Sequence, residues 1–140
     1  MLQGVWELIY SYIDREGGER TYPMGKDAGG RMIITEDTIM VQLWAKGRKN
    51  FASQNYYAAS DAEMAEAFQT YYALCGRYTQ SELNKTITVL MEGHLFPNWA
   101  RTEQTRTYEF TEENSLRLTT PDFDIDGVQM HVVTSWRRAL

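Results

Sequence analysis

Hydrophobic and polar residues alternate along most of this 140-residue chain, and alternation is the pattern of a β-strand with one buried face. The clearest runs are residues 85–92 and 103–110, which flank an aromatic-rich loop at 93–99. Runs bounded by turn residues predict eight strands, at 5–13, 31–35, 38–45, 72–79, 85–92, 103–111, 115–120 and 128–136. Most follow one another as hairpins, so we expect an antiparallel up-and-down meander. Such a meander closes into a barrel because closure removes both exposed edges.

One segment has the period of a helix instead. Ser60 is a candidate N-cap, and Glu63 stands three residues later, which is the spacing of a capping box. Apolar residues then recur at helical intervals, at Met64, Ala67, Phe68 and Tyr71. We therefore predict an all-β fold, an eight-stranded antiparallel barrel with one helical insertion near residues 60–71.

Size and composition fit a single domain over residues 1–140, with 43% hydrophobic residues to form a core. The net charge of −5 disfavours nucleic acid and anionic membranes, since both attract basic surfaces. No stretch approaches the roughly 20 apolar residues that a membrane-spanning helix needs. The start of the chain has no signal-peptide pattern, and the single cysteine, Cys75, has no internal disulfide partner. We expect a cytoplasmic protein.

Two charged residues beside the aromatic loop are the main candidates for chemistry. Glu92 shares a strand face with Leu90, and Arg106 shares one with Tyr108. One interpretation is an ion pair inside the barrel, in which the planar guanidinium anchors a carboxylate, enolate or carbonyl of a ligand. The other is an ordinary cross-strand pair on the solvated side.

Other reactive side chains give weaker signals. His94 begins the aromatic loop, where an imidazole at a cavity mouth could act as acid or base, so the catalytic candidates are Glu92, His94 and Arg106. No spacing of Cys and His matches a zinc site, and we predict neither a metal nor a cofactor. Cys75 lacks a neighbouring base in sequence and is expected to be inert.

Aromatic residues make up 13% of the chain, which is enough either to line a cavity or to fill a small barrel. We assign Trp6 to structure. The candidate ligand-binding residues combine aromatic, amide and charged side chains: Tyr10, Tyr12, Gln42, Trp44, Tyr78, Glu92, Trp99, Arg106 and Tyr108.

Several stretches resemble a known family of barrels. Gly4-Val5-Trp6 in the first strand, with Arg137 or Arg138 after the last, resembles the glycine–x–tryptophan signature and closing arginine of the lipocalin and calycin barrels. Four segments resemble the bacterial and fungal lipocalin-like domain family, at 21–30, 40–43, 51–53 and 95–99. The resemblance implies the barrel fold and a cavity for a small, mostly apolar molecule, but no fixed activity. Related sequences often carry histidines before the last segment, where this chain has Val89 and Leu90.

We therefore hypothesise that the protein binds a small hydrophobic or amphipathic molecule inside a lipocalin-like barrel, with neither nucleic acid nor membrane as a partner. A second hypothesis is an enzyme in the same cavity, a cyclase, isomerase or dehydratase that shapes a flexible substrate. A third is a plugged barrel that acts as an interaction module. Apolar residues on both faces of some strands also suggest a homodimer.

Overall fold

The computed structural model describes residues 1–139 and contains nine strands, one α-helix and one 3-10 turn. In chain order these are β1 Gly4–Arg15, β2 Gly29–Ile34, β3 Thr38–Trp44, α1 Asp61–Gln69, β4 Tyr71–Ser81, β5 Thr86–His94, the 3-10 turn Pro97–Trp99, β6 Glu103–Glu112, β7 Ser115–Thr119, β8 Phe123–Ile125 and β9 Val128–Arg138.

The strands form one closed antiparallel barrel. Each strand from β1 to β6 pairs with the next, β7 pairs with β9, and β9 pairs back with β1. The short β8 lies beside the start of β9 while β7 lies beside its end, so β7 and β8 together occupy one position in the ring. The predicted eight-stranded barrel is confirmed, although the prediction placed no strand between residues 120 and 128.

One end of the barrel is closed by the two ends of the described chain. Trp6 is fully buried, and its indole N–H donates to the Leu2 carbonyl at 2.9 Å. The Arg138 guanidinium lies 4.2 Å from the centroid of the Trp6 ring and donates to the carbonyls of Met1 and Gln3, both at 2.7 Å. Arg138 is therefore the closing arginine, whereas Arg137 is exposed.

The opposite end is more open to solvent. Inward-facing side chains near the closed end are almost completely buried, for example Met32 and Leu116, both at 0% exposure. Toward the other end the inward-facing side chains are only half-buried, among them Ile13, Val132 and Thr134. We call this the open end. The loop with the 3-10 turn and the segment from β3 to β4 both lie there.

The helix α1 lies in the segment between β3 and β4, at this open end. Its capping box is confirmed, because Ser60 Oγ accepts from the Glu63 N–H at 3.2 Å and the Glu63 carboxylate accepts from the Ser60 N–H at 3.0 Å. The helix ends at Gln69, since Tyr71 begins β4, and none of its residues is buried. No helix among residues 1–139 is long and apolar enough to cross a membrane.

A bulge in β1 changes which side chains face inward. Leu8 pairs with Trp136, but Tyr10 pairs with Ser135, so Ile9 is an extra residue in the ladder. Beyond the bulge, Ser11 and Ile13 take the inner positions. The predicted ligand-binding residues Tyr10 and Tyr12 therefore face outward, although plain alternation would place them on the face of Trp6 and Leu8, because one extra residue reverses the alternation.

Candidate functional site

Four polar side chains converge inside the open half of the barrel. Arg106 and Gln104 lie on β6 opposite Ile87 and Val89, whose side chains are buried at 1% and 3% exposure. Directly opposed residues of an antiparallel pair point to the same side, so Arg106 and Gln104 face inward. The sequence predicts that Arg106 shares a face with Tyr108, and Tyr108 is indeed buried.

Tyr72 and His94 approach the same region from β4 and β5. Tyr72 pairs with Leu43, and His94 pairs with Leu74, and both leucines belong to the buried core. The ladder between β4 and β5 is irregular at Cys75 and Gly76, which lets His94 reach the inner face above Met91. We call Tyr72, His94, Gln104 and Arg106 together the interior polar cluster.

The hydrogen bonds of His94 define its tautomer. Its Nδ1 accepts from the Phe96 backbone N–H at 2.9 Å, and its Nε2 lies 3.0 Å from the Tyr72 hydroxyl. In a neutral imidazole only one nitrogen carries hydrogen, so Nε2–H donates to the Tyr72 oxygen. The Tyr72 O–H is then directed away from His94 and is available to another acceptor.

The electrostatics keep His94 and Tyr72 neutral at pH 7. Burial lowers the pKa of His94 below its usual value of 6.5, and the Arg106 charge lowers it further. Burial raises the pKa of Tyr72 above 10.0, although the Arg106 guanidinium acts in the opposite direction. Burial also lowers the pKa of Arg106, against a raising effect from Tyr72, but an arginine stays protonated in proteins.

Arg106 is a cation in a largely enclosed place. It donates from Nη2 to Gln104 Oε1 at 3.0 Å. No carboxylate among residues 1–139 lies within ion-pairing distance of it. An enclosed charge without a counter-ion costs free energy, which a protein tolerates where the charge serves a ligand.

Aromatic side chains edge this region on the loop after β5. The Trp99 ring lies edge-on to His94 with 5.2 Å between centroids, and Phe96 lies edge-on to Trp99 at 5.1 Å. Both aromatic residues are 37% exposed. The predicted site residue Trp99 therefore stands at the open end, in contact with the interior polar cluster through His94.

The predicted interior pair of Glu92 and Arg106 is wrong. Met91 takes the inner position on β5 with 0% exposure, so the next residue, Glu92, points outward and is exposed. The alternation along β5 had the correct period, but Glu92 belongs to its outer face. Of the catalytic candidates, only His94 and Arg106 come together.

Two further candidates on β3 also lie on the outer face. Ile39, Val41 and Leu43 fill the inner positions, which leaves Gln42 and Trp44 outside. Tyr71 of β4 contacts both side chains. Its hydroxyl donates to Gln42 Oε1, and its ring stacks on Trp44 with centroids 6.2 Å apart.

The four remaining tyrosine candidates do not line the open half. Tyr10 and Tyr12 stack on each other outside the barrel, where Tyr10 borders a surface groove of about 520 Å³. Tyr78 is buried near the closed end and donates to the Thr35 carbonyl at 2.6 Å. Tyr108 lies inside, two residues from Arg106, and accepts from the Gln80 amide at 2.8 Å. Its buried side chain fills the barrel interior beneath the interior polar cluster.

Sequence reasoning missed Tyr72 and Gln104. Gln104 stands two residues from Arg106 and so shares its strand face, but an amide is common on solvated strand faces as well and gives no distinct signal. Tyr72 begins a predicted strand whose alternation continues through Leu74 to Tyr78, and that shared face was the available signal. Among residues 1–139, no group of three or more His, Cys, Asp or Glu side chains could hold a metal ion.

Comparisons with known proteins give three results. The sequence profile of the lipocalin-like domain matches residues 3–139. The 4′-hydroxy-3′-methoxypropiophenone carrier protein ppsC of Aspergillus oryzae (strain ATCC 42149 / RIB 40) is 26% identical over 106 residues, which cover 71% of this chain and 96% of that protein. A redesigned β-barrel of known structure has a TM-score of 0.44 and 13% identity, covering 99% of this chain and 92% of that one.

Proposed function

This chain belongs to the lipocalin-like domain family, and from that premise we propose that it carries a small, mostly apolar molecule in the open half of its barrel. The observation that carries the proposal is Arg106. It is an inward-facing guanidinium with no carboxylate partner among the described residues, placed beside Tyr72 and Gln104. A ligand oxygen is the group that such an arrangement suits best.

The walls of the open half suit the apolar part of a ligand. Leu43, Leu74 and Leu118 are inward-facing and buried, and Ile13 and Val132 complete the apolar lining on the other side. A pocket with apolar walls and a few convergent polar groups is the usual composition of a small-molecule site. Filled space below Tyr108 limits the ligand to the upper part of an eight-stranded interior, which suits one small molecule.

The relative from Aspergillus oryzae supports the same class of ligand. Its name assigns it an aryl ketone, a molecule with an aromatic ring and a carbonyl group. We propose an aryl ketone or a molecule of similar shape here, with its carbonyl or phenol oxygen at Arg106 and its ring against the leucines. The half-buried, inward-facing Thr134 and Val132 argue against a fully plugged barrel that serves only as an interaction module.

The test is a calorimetric titration of the purified protein with 4′-hydroxy-3′-methoxypropiophenone, followed by recovery of the compound. We expect saturable binding of one molecule per chain and recovery of the compound unchanged. Arg106→Met should weaken binding at least about tenfold, the loss typical of one charge-assisted hydrogen bond. Arg77→Met is the matched control, because Arg77 is exposed on the outer face of β4. Equal affinity of the Arg106→Met variant would refute the anchoring role.

The second candidate function is a proton-transfer enzyme, a cyclase, isomerase or dehydratase. The contact between His94 and Tyr72 favours it, since a neutral imidazole and a phenol joined at 3.0 Å can exchange protons with a bound substrate. Here Arg106 would stabilise a developing oxyanion. Time-resolved NMR of protein with candidate ketones tests this: turnover that His94→Gln abolishes would favour the enzyme, and unchanged ligand would favour the carrier.

Homodimer formation stays a prediction. Val5, Ile33 and Met40 are cross-strand neighbours on the outer face of β1, β2 and β3, and each is at least 39% exposed. A second copy would bury this apolar row. Analytical ultracentrifugation of the unmodified protein and of the Met40→Lys variant measures the oligomeric state. A charge in the row should shift a dimer to monomer.

A further inference from the structure

The interior polar cluster offers a ligand mainly hydrogen-bond donors. The Tyr72 oxygen accepts from His94, and the Gln104 carbonyl oxygen accepts from Arg106. What remains for a ligand is mainly the Tyr72 O–H, the Gln104 amide N–H₂ and the other N–H groups of Arg106. A ligand atom that meets all of them satisfies them best when it is an acceptor with no hydrogen of its own.

The charge of the cluster favours the same kind of ligand. Arg106 is positive, and the groups that face it are Tyr72 from β4, His94 from β5 and Gln104 from its own strand. The first two are neutral at pH 7, and Gln104 has no charge. A positive charge inside a barrel is screened less than one at the surface, so it attracts an anion more strongly.

Resting on the proposed function, we propose that the site selects the anionic form of an acidic phenol, a phenol whose ring carries a conjugated acyl group. A neutral phenol brings an O–H that needs an acceptor, whereas the acceptor atoms of the cluster, the Tyr72 oxygen and Gln104 Oε1, already accept from His94 and Arg106. The phenolate of the same molecule accepts from Arg106, Tyr72 and Gln104 together. The acyl group makes the phenol acidic by spreading the phenolate charge into its carbonyl, so the protein has to lower the pKa of the phenol only slightly.

This selection has an optical signature. Conversion of an acyl phenol to its phenolate moves its absorption band to longer wavelength. An opposite charge in contact lowers the pKa of an acidic group by about 1–3 units, so we expect the bound phenol to titrate at least about one unit below the free one. At a pH one unit below the free pKa, binding should therefore produce the phenolate band.

The experiment uses two probes that differ in one ionisable hydrogen, 4′-hydroxyacetophenone and 4′-methoxyacetophenone. We expect the phenolate band with the first probe and, at a pH above its free pKa, binding of the second at least about tenfold weaker, in line with a one-unit pKa difference. Arg106→Met should remove the band, and Arg106→Lys should keep it, because the charge is retained. Tyr72→Phe should weaken phenol binding, whereas Tyr71→Phe, on the outer face, should leave it unchanged.

The outcomes separate this inference from the proposed function. Phenol that binds with the spectrum of its neutral form, equal affinity for the methyl ether, or a phenolate band that survives Arg106→Met would overturn the inference and leave the carrier function standing. If neither probe binds and the propiophenone of the earlier titration does not bind either, the inference and the proposed carrier function are both refuted.

Discussion

Replacement of Arg106 by methionine should make the unliganded protein more stable while it removes ligand binding. The reason is that the guanidinium is inward-facing, half-buried and without a carboxylate partner among the described residues. Replacing buried charged groups by apolar side chains of similar volume is often neutral or stabilising by about 1–4 kcal/mol. Binding sites commonly hold groups that cost the fold stability.

The magnitude follows from two opposing terms. The variant loses the hydrogen bond from Arg106 to Gln104, worth about 1.5–3 kcal/mol for a charged donor, although the half-buried Gln104 amide can partly recover it from water. The variant avoids the cost of desolvating the guanidinium, which is several kcal/mol for a fully enclosed ion and less for this half-buried one. Methionine also packs against the aliphatic neighbours. We expect a net gain of about 1–2 kcal/mol.

Urea unfolding measures this difference. With a slope of about 2 kcal/mol per M, the gain raises the midpoint by about 0.5–1 M. Arg77→Met, which replaces an exposed arginine on the outer face, should change stability by less than about 0.5 kcal/mol. A midpoint for Arg106→Met that falls below that of the unmodified protein would show that Arg106 contributes to folding, and the reasoning that assigns it to a ligand would be refuted.

Three further predictions concern the barrel and its open half. Gly76→Ala should destabilise the fold by about 3 kcal/mol in urea unfolding, because a Cβ there would lie 2.0 Å from a backbone oxygen of β5, whereas Gly18→Ala should have little effect. Arg138→Met should cost about 2–4 kcal/mol through its two carbonyl hydrogen bonds and its ring contact, and the exposed Arg137→Met should cost almost nothing. The pKa of His94 is lower in the folded protein, so the unfolded chain takes up a proton near pH 6.5 before the folded one does. The free energy of unfolding should therefore fall as the pH falls from 7.5 to 5.5. His94→Gln should reduce this loss of stability, and a variant that loses as much stability as the unmodified protein would contradict the prediction.

The fold was largely predictable because strand period and turn residues act locally. Alternation located every strand of the barrel except the short β8, and the capping box located the helix start. The strand faces were less predictable. Whether Glu92 or Met91 points inward depends on the register of β5 against its neighbours, which no single strand encodes.

The candidate site was only partly predictable for the same reason. The bulge at Ile9 moved Tyr10 and Tyr12 outside, and nothing in the local sequence marks it, since no glycine stands there. Arg106 was found because it shares a strand face with the aromatic residues Tyr108 and Phe110. Tyr72 belongs to the site only through contacts with other strands, so it became visible in three dimensions alone.

The closure of the ring by β9 also has a consequence for biosynthesis. This strand is the last in chain order, yet it supplies the pairing partner of β1 and of β7, and Arg138 behind it completes the cover over Trp6. Until β9 has emerged from the ribosome, the nascent sheet has two unpaired edges and an uncovered tryptophan. Closure of the barrel must therefore wait for β9, through contacts between residues far apart in sequence, which is the slow regime for β-proteins. The partly synthesised chain is the species most exposed to aggregation, and a chaperone that holds it until β9 arrives would protect it.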